Sequence, residues 1–296
     1  MNTPLYKKIP LIGIAFLPVF FSCLYSCTAR IDIHTEASAP RLVIYGSIST
    51  DTMQHSIKIT RSSGYFSTSK PEGISHAAVS IRTDKETFTL QESSTEAGLY
   101  QTGSSVFGAE GETYRLSVAL DFDEDGRQEA YEAVSYMPGT PRIDSIGFRP
   151  SPLSDDYLEV LVWGHMPEAD GNYLSFHLYR NHKIVNDSLQ GFLMTDDMYM
   201  DKKEIAGVSC FYLNQEEEQN ILREGDIITV RIDGITKEYA AFINAAQREL
   251  WGSDPVFSGP PANVQTNIIS KSPSESILVS GFFTAFSGSK QTTVYR

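Results

Sequence analysis

The sequence of 296 residues contains only three cysteines, Cys23, Cys27 and Cys210. We expect Cys23 to be removed with a cleaved leader and Cys27 to be modified at the new N-terminus, which leaves Cys210 without a partner and excludes an intramolecular disulfide. Cys210 shares one face of a predicted strand with Val208 and Tyr212, so we interpret it as a small buried apolar residue and not as a reactive thiol. The fold must therefore be held together by its hydrophobic core.

Basic residues are scarce as well. The chain has 24 lysines and arginines against 37 aspartates and glutamates, a formal net charge of −13. Nucleic-acid binding depends on neutralising phosphates with lysine and arginine. Since the bases also form no cluster along the chain, we exclude nucleic acid from the expected partners.

Motifs of common enzymes are missing too. The sequence has no G-x-S-x-G, H-E-x-x-H or C-x-x-C pattern, and its six histidines show no metal-ligand spacing beyond the loose pair His177 and His182. Two S-x-x-K patterns, 67–70 and 287–290, lie in surroundings that do not predict the helix such a pair needs. We therefore expect no enzyme. A hydrolase is the less favoured alternative, with acids in 195–204 (Asp196, Asp197, Asp201 and Glu204) as its catalytic groups.

A long apolar run occurs only at the start of the chain. Residues 9–21 are apolar, but the run is too short, and too broken by Pro10 and Pro18, to cross a bilayer of about 30 Å. Lys7 and Lys8 precede it, and Leu24-Tyr25-Ser26-Cys27 follows. This order is typical of a bacterial lipoprotein signal peptide over 1–26, with lipid attachment at Cys27. Cys23 is a weaker second candidate, and an ordinary cleaved signal peptide is the alternative interpretation.

The rest of the chain predicts a mainly β protein. After a polar tether, 27–40, short alternating segments separated by glycines recur, which is typical of antiparallel β-sandwiches of immunoglobulin-like type. We predict two such domains, 41–138 and 139–296, the second with one packed helix at about 236–250. Thr236 is the predicted N-cap, and the apolar stripe of the helix comprises Tyr239, Phe242, Ile243, Ala246 and Leu250. Trp163, in an apolar run, is predicted to lie in the core.

One segment carries ligand chemistry. Residues 121–132 satisfy the calcium-loop pattern D-x-[DN]-x-[DN]-G-x₅-E, in which acids at alternate positions converge where a glycine turns the chain. The predicted calcium ligands are Asp121, Asp123, Asp125, the carbonyl of Arg127, and Glu132. The flanks are predicted strands and not the helices of an EF-hand, so a plain hairpin with solvated acids stays the alternative.

Several stretches in order resemble the Bacteroidota lipoprotein family catalogued as domain of unknown function 4249. They are 41–46 (Arg-Leu-Val-Ile-Tyr-Gly), 137–146, 171–173 and, most clearly, 225–268, completed by Gly281-Phe282-Phe283. The resemblance implies a palmitate-bearing lipoprotein of the outer membrane, of a kind found with TonB-dependent transporters, and no established activity. The residues after Cys27 lack the acids usual for surface display, so either face of the membrane stays open.

These observations predict a non-catalytic binding or accessory module of the outer envelope, with a TonB-dependent transporter in nutrient uptake as the candidate partner. A structural or adhesive surface protein is the alternative. Exposed aromatic residues near the end of the helix, Trp251 and Phe257, are the candidate ligand-binding residues, because long loops on rigid sandwiches often carry function. The favoured alternative is that these rings only cover the edge of the sheet. The sequence leaves the ligand and the oligomeric state open.

Overall fold

The computed structural model describes residues 40–63, 70–168, 171–198, 203–251, 264–271 and 277–296. All of them belong to one compact unit that begins at Ala39. The predicted signal peptide, Cys27 and the tether up to residue 39 lie outside the described residues, as do Phe257 and the side chain of Trp251. The described chain is mainly β with one α-helix, as predicted. No helix within the described ranges is long and apolar enough to span a bilayer.

The first half of the chain and two strands from its end form a two-layered β-sandwich. The strands are β1 (Leu42–Ser49), β2 (Ser56–Arg61), β3 (Glu72–Gly73), β4 (Ala78–Arg82), β5 (Thr87–Glu92), β6 (Leu99–Gln101), β7 (Thr113–Leu120), β8 (Glu129–Tyr136), β16 (Ile269–Ser270) and β17 (Val279–Val294). One layer has the order β17-β1-β2-β6-β5 and continues through β5 into the other, β5-β4-β7-β8-β16, with the short β3 beside β2.

The second half forms another sandwich from two sheets. The strands are β9 (Arg142–Pro150), β10 (Tyr157–His165), β11 (Tyr173–Arg180), β12 (Lys183–Ile184), β13 (Leu193–Asp196), β14 (Glu204–Asn214) and β15 (Ile227–Ile235). One sheet has the order β14-β10-β9, and the other continues from β17 through β15 and β11 to β12. Inward residues of both sheets, among them Val160, Val162, Val230 and Ile232, form the second core.

The alternation seen in the sequence sets which side chains are buried. In β7 every second residue is buried, Tyr114, Leu116, Val118 and Leu120, and its neighbour β8 buries Tyr131 and Ala133 in the same way. Because side chains of a strand point to opposite faces in turn, this pattern places one face on the core and the other in solvent. The first core is the larger cluster of buried apolar residues.

Strand β17 joins the two sandwiches. Its first half pairs with β1 from Leu42–Val279 to Ser49–Phe286 in parallel, and its second half pairs with β15 in antiparallel orientation. Phe283 and Ala285 therefore belong to the first core. In the sequence, both residues lie far beyond 138–139, the boundary predicted between the two domains. The large sheet is therefore mixed, whereas the sequence predicts antiparallel pairing only. The parallel pair is β1 with β17, which can form because the two strands are distant in sequence and are not joined by a hairpin.

The helix α1 spans Lys237–Trp251, close to the predicted 236–250. The side-chain oxygen of Thr236 accepts a hydrogen bond from the Tyr239 amide at 3.1 Å, as expected of an N-cap. Tyr239 and Ile243 are buried, but Leu250, predicted to be the last residue of the apolar stripe, is exposed. Gln247 is buried near it, since its amide nitrogen donates to the Leu189 and Phe192 carbonyls at 2.8 and 2.9 Å.

Candidate functional site

The predicted calcium loop connects β7 and β8 and turns sharply. Asp121 accepts hydrogen bonds from the amides of Asp125 and Gly126 at 3.1 and 2.9 Å, and Gly126 has a φ of +85°. The carboxylates of Asp121, Asp123, Asp125 and Glu129 each place an oxygen within 4.8 Å of the others. The structure thus brings the three predicted aspartates together, and four carboxylates at this spacing could hold a cation.

The fourth carboxylate of this cluster is Glu129 and not the predicted Glu132. Glu129 is buried and accepts a hydrogen bond from the Phe122 amide at 2.7 Å. Glu132 lies on the outer face of the sheet, 3.2 Å from the Lys271 ammonium. The reason is that this flank is a strand, so that residues three apart point to opposite faces, whereas a helix would turn the twelfth loop residue back to the ion.

Arg127, the predicted carbonyl ligand, follows the turn directly, and its amide donates to Asp125 at 2.8 Å. Coordination by its carbonyl stays a prediction. The loop is attached to the sandwich at Phe122. The Arg61 guanidinium donates to the Phe122 carbonyl at 2.7 Å and lies 4.4 Å from the centre of the Phe122 ring. This cation–π and hydrogen-bond contact holds the start of the loop in place.

A second candidate site is the outer face of the three-stranded sheet β14-β10-β9. Odd-numbered residues of β10 lie on this face and even-numbered residues point to the second core. Trp163 is 38% exposed here, so the prediction that it lies in the core is wrong. The apolar run around it is continuous because Leu161, on the same face, is also buried, which hides the alternation in the sequence.

The indole of Trp163 lies close to both neighbouring strands. A Cβ atom on Gly147 of β9 would be 2.8 Å from its ring, and one on Gly207 of β14 would be 3.0 Å away. The ring therefore reaches over both glycines, and any larger side chain would lift it from the sheet. Since Gly147 is the register partner of Leu161, the ring extends along the sheet towards Leu161, and 38% of the residue stays exposed.

Polar groups border the indole along the strands. Glu159 is buried and accepts hydrogen bonds from Ser209 at 2.6 Å, Arg149 at 2.7 Å and Ser151 at 3.0 Å. The hydrogen bond from Ser209, followed by those from the other two residues, lowers the pKa of Glu159 below its usual value. The acid is therefore held charged at neutral pH as part of the sheet.

At the opposite end of the same face, Asp144 accepts from the Arg142 guanidinium at 2.9 Å and lies 3.0 Å from the His165 imidazole. All three side chains are more than 40% exposed. Exposed aromatic residues complete the face: Tyr157 at one end of β10, and Tyr212 of β14, which is the register partner of Glu159. The sequence analysis did not predict this site. Its signal in the sequence is that both aromatic residues of β10, Tyr157 and Trp163, occupy odd-numbered positions.

Serine, histidine and aspartate side chains also meet elsewhere in the second sandwich, but their arrangement is not that of a catalytic triad. Ser175, His177 and Asp233 lie together on the second sandwich, yet Ser175 at 3.5 Å and Asp233 at 3.2 Å both contact the same imidazole nitrogen, Nε2. A catalytic triad needs the hydroxyl and the carboxylate on opposite nitrogens. Ser175 is also almost completely buried.

The acids proposed for a hydrolase do not form one group of exposed side chains. Asp197 is buried and accepts hydrogen bonds from the amide and the side chain of Asn172 at 3.0 and 2.7 Å, while Asp201 lies outside the described residues. Burial raises the pKa of the Cys210 thiol to about 12, which agrees with its predicted structural role. Ser287 and Lys290 of the second S-x-x-K pattern lie three apart in β17 and therefore on opposite faces.

Comparison with known families places the chain. The family model described as Domain of unknown function (DUF4249) matches residues 28–292. The chain belongs to this family. The DUF4249 match begins directly after Cys27 and covers both sandwiches, the calcium-loop segment and the Trp163 face. A search of curated proteins finds no match.

Proposed function

We propose that this DUF4249 chain is a non-catalytic lipoprotein of the outer envelope, anchored through Cys27, that serves as a binding or accessory module. The resemblance to envelope lipoproteins supports a role in nutrient uptake beside a TonB-dependent transporter. The negative charge of the chain disfavours polyanionic partners.

One contrast in the second sandwich carries the proposal. Its buried ionisable groups, such as Glu159 and Asp197, are engaged in hydrogen bonds that hold strands and loops together. The outer face of β14-β10-β9 instead exposes the aromatic rings of Trp163 and Tyr212. Rigid aromatic surface held on a sheet is a feature of binding sites, because such side chains bury much area and lose little entropy.

The anchor can be tested by metabolic labelling with a radioactive fatty acid. We expect labelled wild-type protein and no label on Cys27→Ala, with Cys23→Ala as the matched control that keeps the label. Equal labelling of wild type and Cys27→Ala would contradict the anchor.

The accessory role can be tested by purifying the tagged full-length chain from native membranes. We expect an outer-membrane transporter to co-purify in stoichiometric amounts with the wild type. Recovery of the chain without any transporter would remove the proposed partner and would favour the structural or adhesive alternative.

A calcium ion is the proposed occupant of the loop after β7. The observation in its favour is that the oxygens of Asp121, Asp123, Asp125 and Glu129 converge within 4.8 Å. Because these acids repel one another, a bound cation would stabilise the loop without any catalytic role.

A further inference from the structure

We propose that the outer face of the β14-β10-β9 sheet is a carbohydrate-binding platform on which a sugar ring of a glycan chain stacks against the exposed face of Trp163. The inference rests on the proposed binding function and names its ligand class. It concerns a surface that neither the family match nor the sequence motifs assign.

The first step is the orientation of the indole. Gly147 and Gly207 lie beneath its ring on the two strands beside β10, at 2.8 and 3.0 Å from the positions that their Cβ atoms would take. Gly207 also has a φ of +66°, a conformation that favours glycine. Both strands thus leave room for the ring close to the sheet, and 38% of the surface of Trp163 stays exposed to solvent.

An exposed indole fits the chemistry of a pyranose ring. One face of such a sugar presents several C–H bonds, whose partial positive charge is attracted to the negative face of an aromatic ring. The hydroxyl groups of the sugar point outward around its rim and require polar partners. Around Trp163 these partners are present, namely Asp144 and His165 towards one end of the sheet and Arg149 towards the other.

The second step is the position of another aromatic ring. Tyr212 is half-exposed and is the register partner of Glu159, four residues along β10 from Trp163. At a rise of about 3.3 Å per residue and about 4.8 Å between strands, the two side chains start about 14 Å apart. Two aromatic side chains that start this far apart on one face suit an extended chain of sugars.

The surroundings of the indole disfavour a protein partner. A stable protein interface buries about 800 Å² on each side around a cluster of apolar residues. Beside Trp163 the adjacent strands carry the small residues Ser145, Gly147, Ala206, Gly207 and Ser209. Small and polar residues thus separate Trp163 from the other exposed rings of this face, Tyr157 and Tyr212.

The test is direct binding of defined sugars to the full-length chain purified in detergent. Soluble hexasaccharides of glucose, xylose, mannose and galactose are titrated while tryptophan fluorescence and binding heat are recorded. The chain has two tryptophans, Trp163 and Trp251, so Trp251→Phe assigns the fluorescence change to Trp163. We expect at least one hexasaccharide to bind and to shift the fluorescence of both wild type and Trp251→Phe.

The variants separate stacking from a merely structural role of Trp163. We expect Trp163→Ala to weaken binding by about tenfold or more, Trp163→Phe to retain part of it, and Tyr212→Ala to weaken it about fivefold. Tyr136→Ala, which removes an equally exposed tyrosine from β8 of the first sandwich, is the matched control and should bind like wild type. If Trp163→Ala does not fold, Trp163→Phe and Tyr212→Ala decide the question.

Failure of the platform is distinguishable from failure of the proposed function. The platform is overturned if none of the hexasaccharides binds, or if Trp163→Phe and Tyr212→Ala bind as tightly as wild type. Co-purification of a transporter with a chain that binds no sugar would leave the accessory role intact. Sugar binding by a chain that carries no lipid label and co-purifies with no transporter would support the platform and contradict the proposed accessory role.

Discussion

The outer faces of the two sandwiches differ in where their acidic groups lie, exposed among bases on the first and buried under hydrogen bonds on the second. On the first, Glu132 lies among the bases Arg82, Arg115 and Lys271 at 3.2 to 3.8 Å, in ion pairs open to solvent. On the second, the acid Glu159 is buried under hydrogen bonds, and the aromatic ring of Trp163 is what faces solvent. Exposed ion pairs contribute little, typically below 1 kcal/mol, so we expect no binding site at the ion pairs of the first face. The second exposes apolar area above a rigid polar base, which is why we assign binding to it.

The two sandwiches share strand β17, so a substitution in this strand is expected to destabilise both of them. Phe283 of β17 is fully buried in the first core, and truncation of such a phenylalanine costs about 3 to 5 kcal/mol. We expect Phe283→Ala to lower the free energy of unfolding by this amount. Because β17 also pairs with β15, circular dichroism and the fluorescence of Trp163 should report one common transition in urea. Two separate transitions would show that the sandwiches unfold independently.

The substitution Gly207→Ala tests whether the glycine beside Trp163 is needed to keep the indole in its place. The substitution places a Cβ atom 3.0 Å from the indole and also strains a residue with φ of +66°. Gly126→Ala in the acid loop is the matched control, since its φ is +85° and nothing lies within 4 Å of the added atom. Strain alone costs about 1 to 2 kcal/mol. Urea unfolding should therefore show a larger loss for Gly207→Ala than for Gly126→Ala, and only Gly207→Ala should alter the fluorescence of Trp163.

The pH dependence of stability tests the buried acid. The pKa of Glu159 is lowered in the folded state, chiefly by the hydrogen bond from Ser209, from an ordinary value of 4.5. Its contribution is therefore complete above pH 4.5 and is lost as the pH falls through the lower folded pKa. We expect the urea midpoint of the wild type to fall as the solution is acidified below this value, and that of Glu159→Gln to fall less steeply. Parallel curves would contradict the charged state of Glu159.

Calcium is expected to have the smallest effect of the four. Calorimetry on the full-length chain should detect binding in the range of about 10⁻⁴ to 10⁻³ M that is typical of extracellular modules. Asp123→Ala and Glu129→Gln should weaken it, whereas Glu132→Gln should not, because Glu132 points to the other face of the sheet. A loss of binding in Glu132→Gln with none in Glu129→Gln would restore the ligand set predicted from the sequence. No heat with the wild type would remove calcium altogether.

Local patterns were sufficient for much of the fold. The N-cap at Thr236 and the apolar period placed the helix within one residue at each end, and alternation identified strands such as β7 and β8. The aspartates of the calcium loop lie within five residues of one another, so their convergence also depends on short-range geometry. Each of these features is stabilised by contacts between residues close in sequence.

The errors have a common cause in contacts between distant residues. Leu250 continues the helical stripe, but the buried position beside it is occupied by Gln247, which meets carbonyls nearly sixty residues away. Trp163 looks like a core residue until the glycines of β9 and β14 are placed beneath it. Glu132 fits the calcium motif, but the motif presumes a helix where the tertiary structure has a strand.

The sequence by itself determined a mainly β chain with one capped helix, an acidic loop and few cysteines, because periodicity, capping and composition act over a few residues. Only the tertiary structure decided that β17 joins both sandwiches, that Glu129 faces the aspartates, and that Trp163 is exposed on the outer face of its sheet. Those features depend on which distant strands become neighbours, and strand neighbours are selected by the packing of the whole core and not by any one segment.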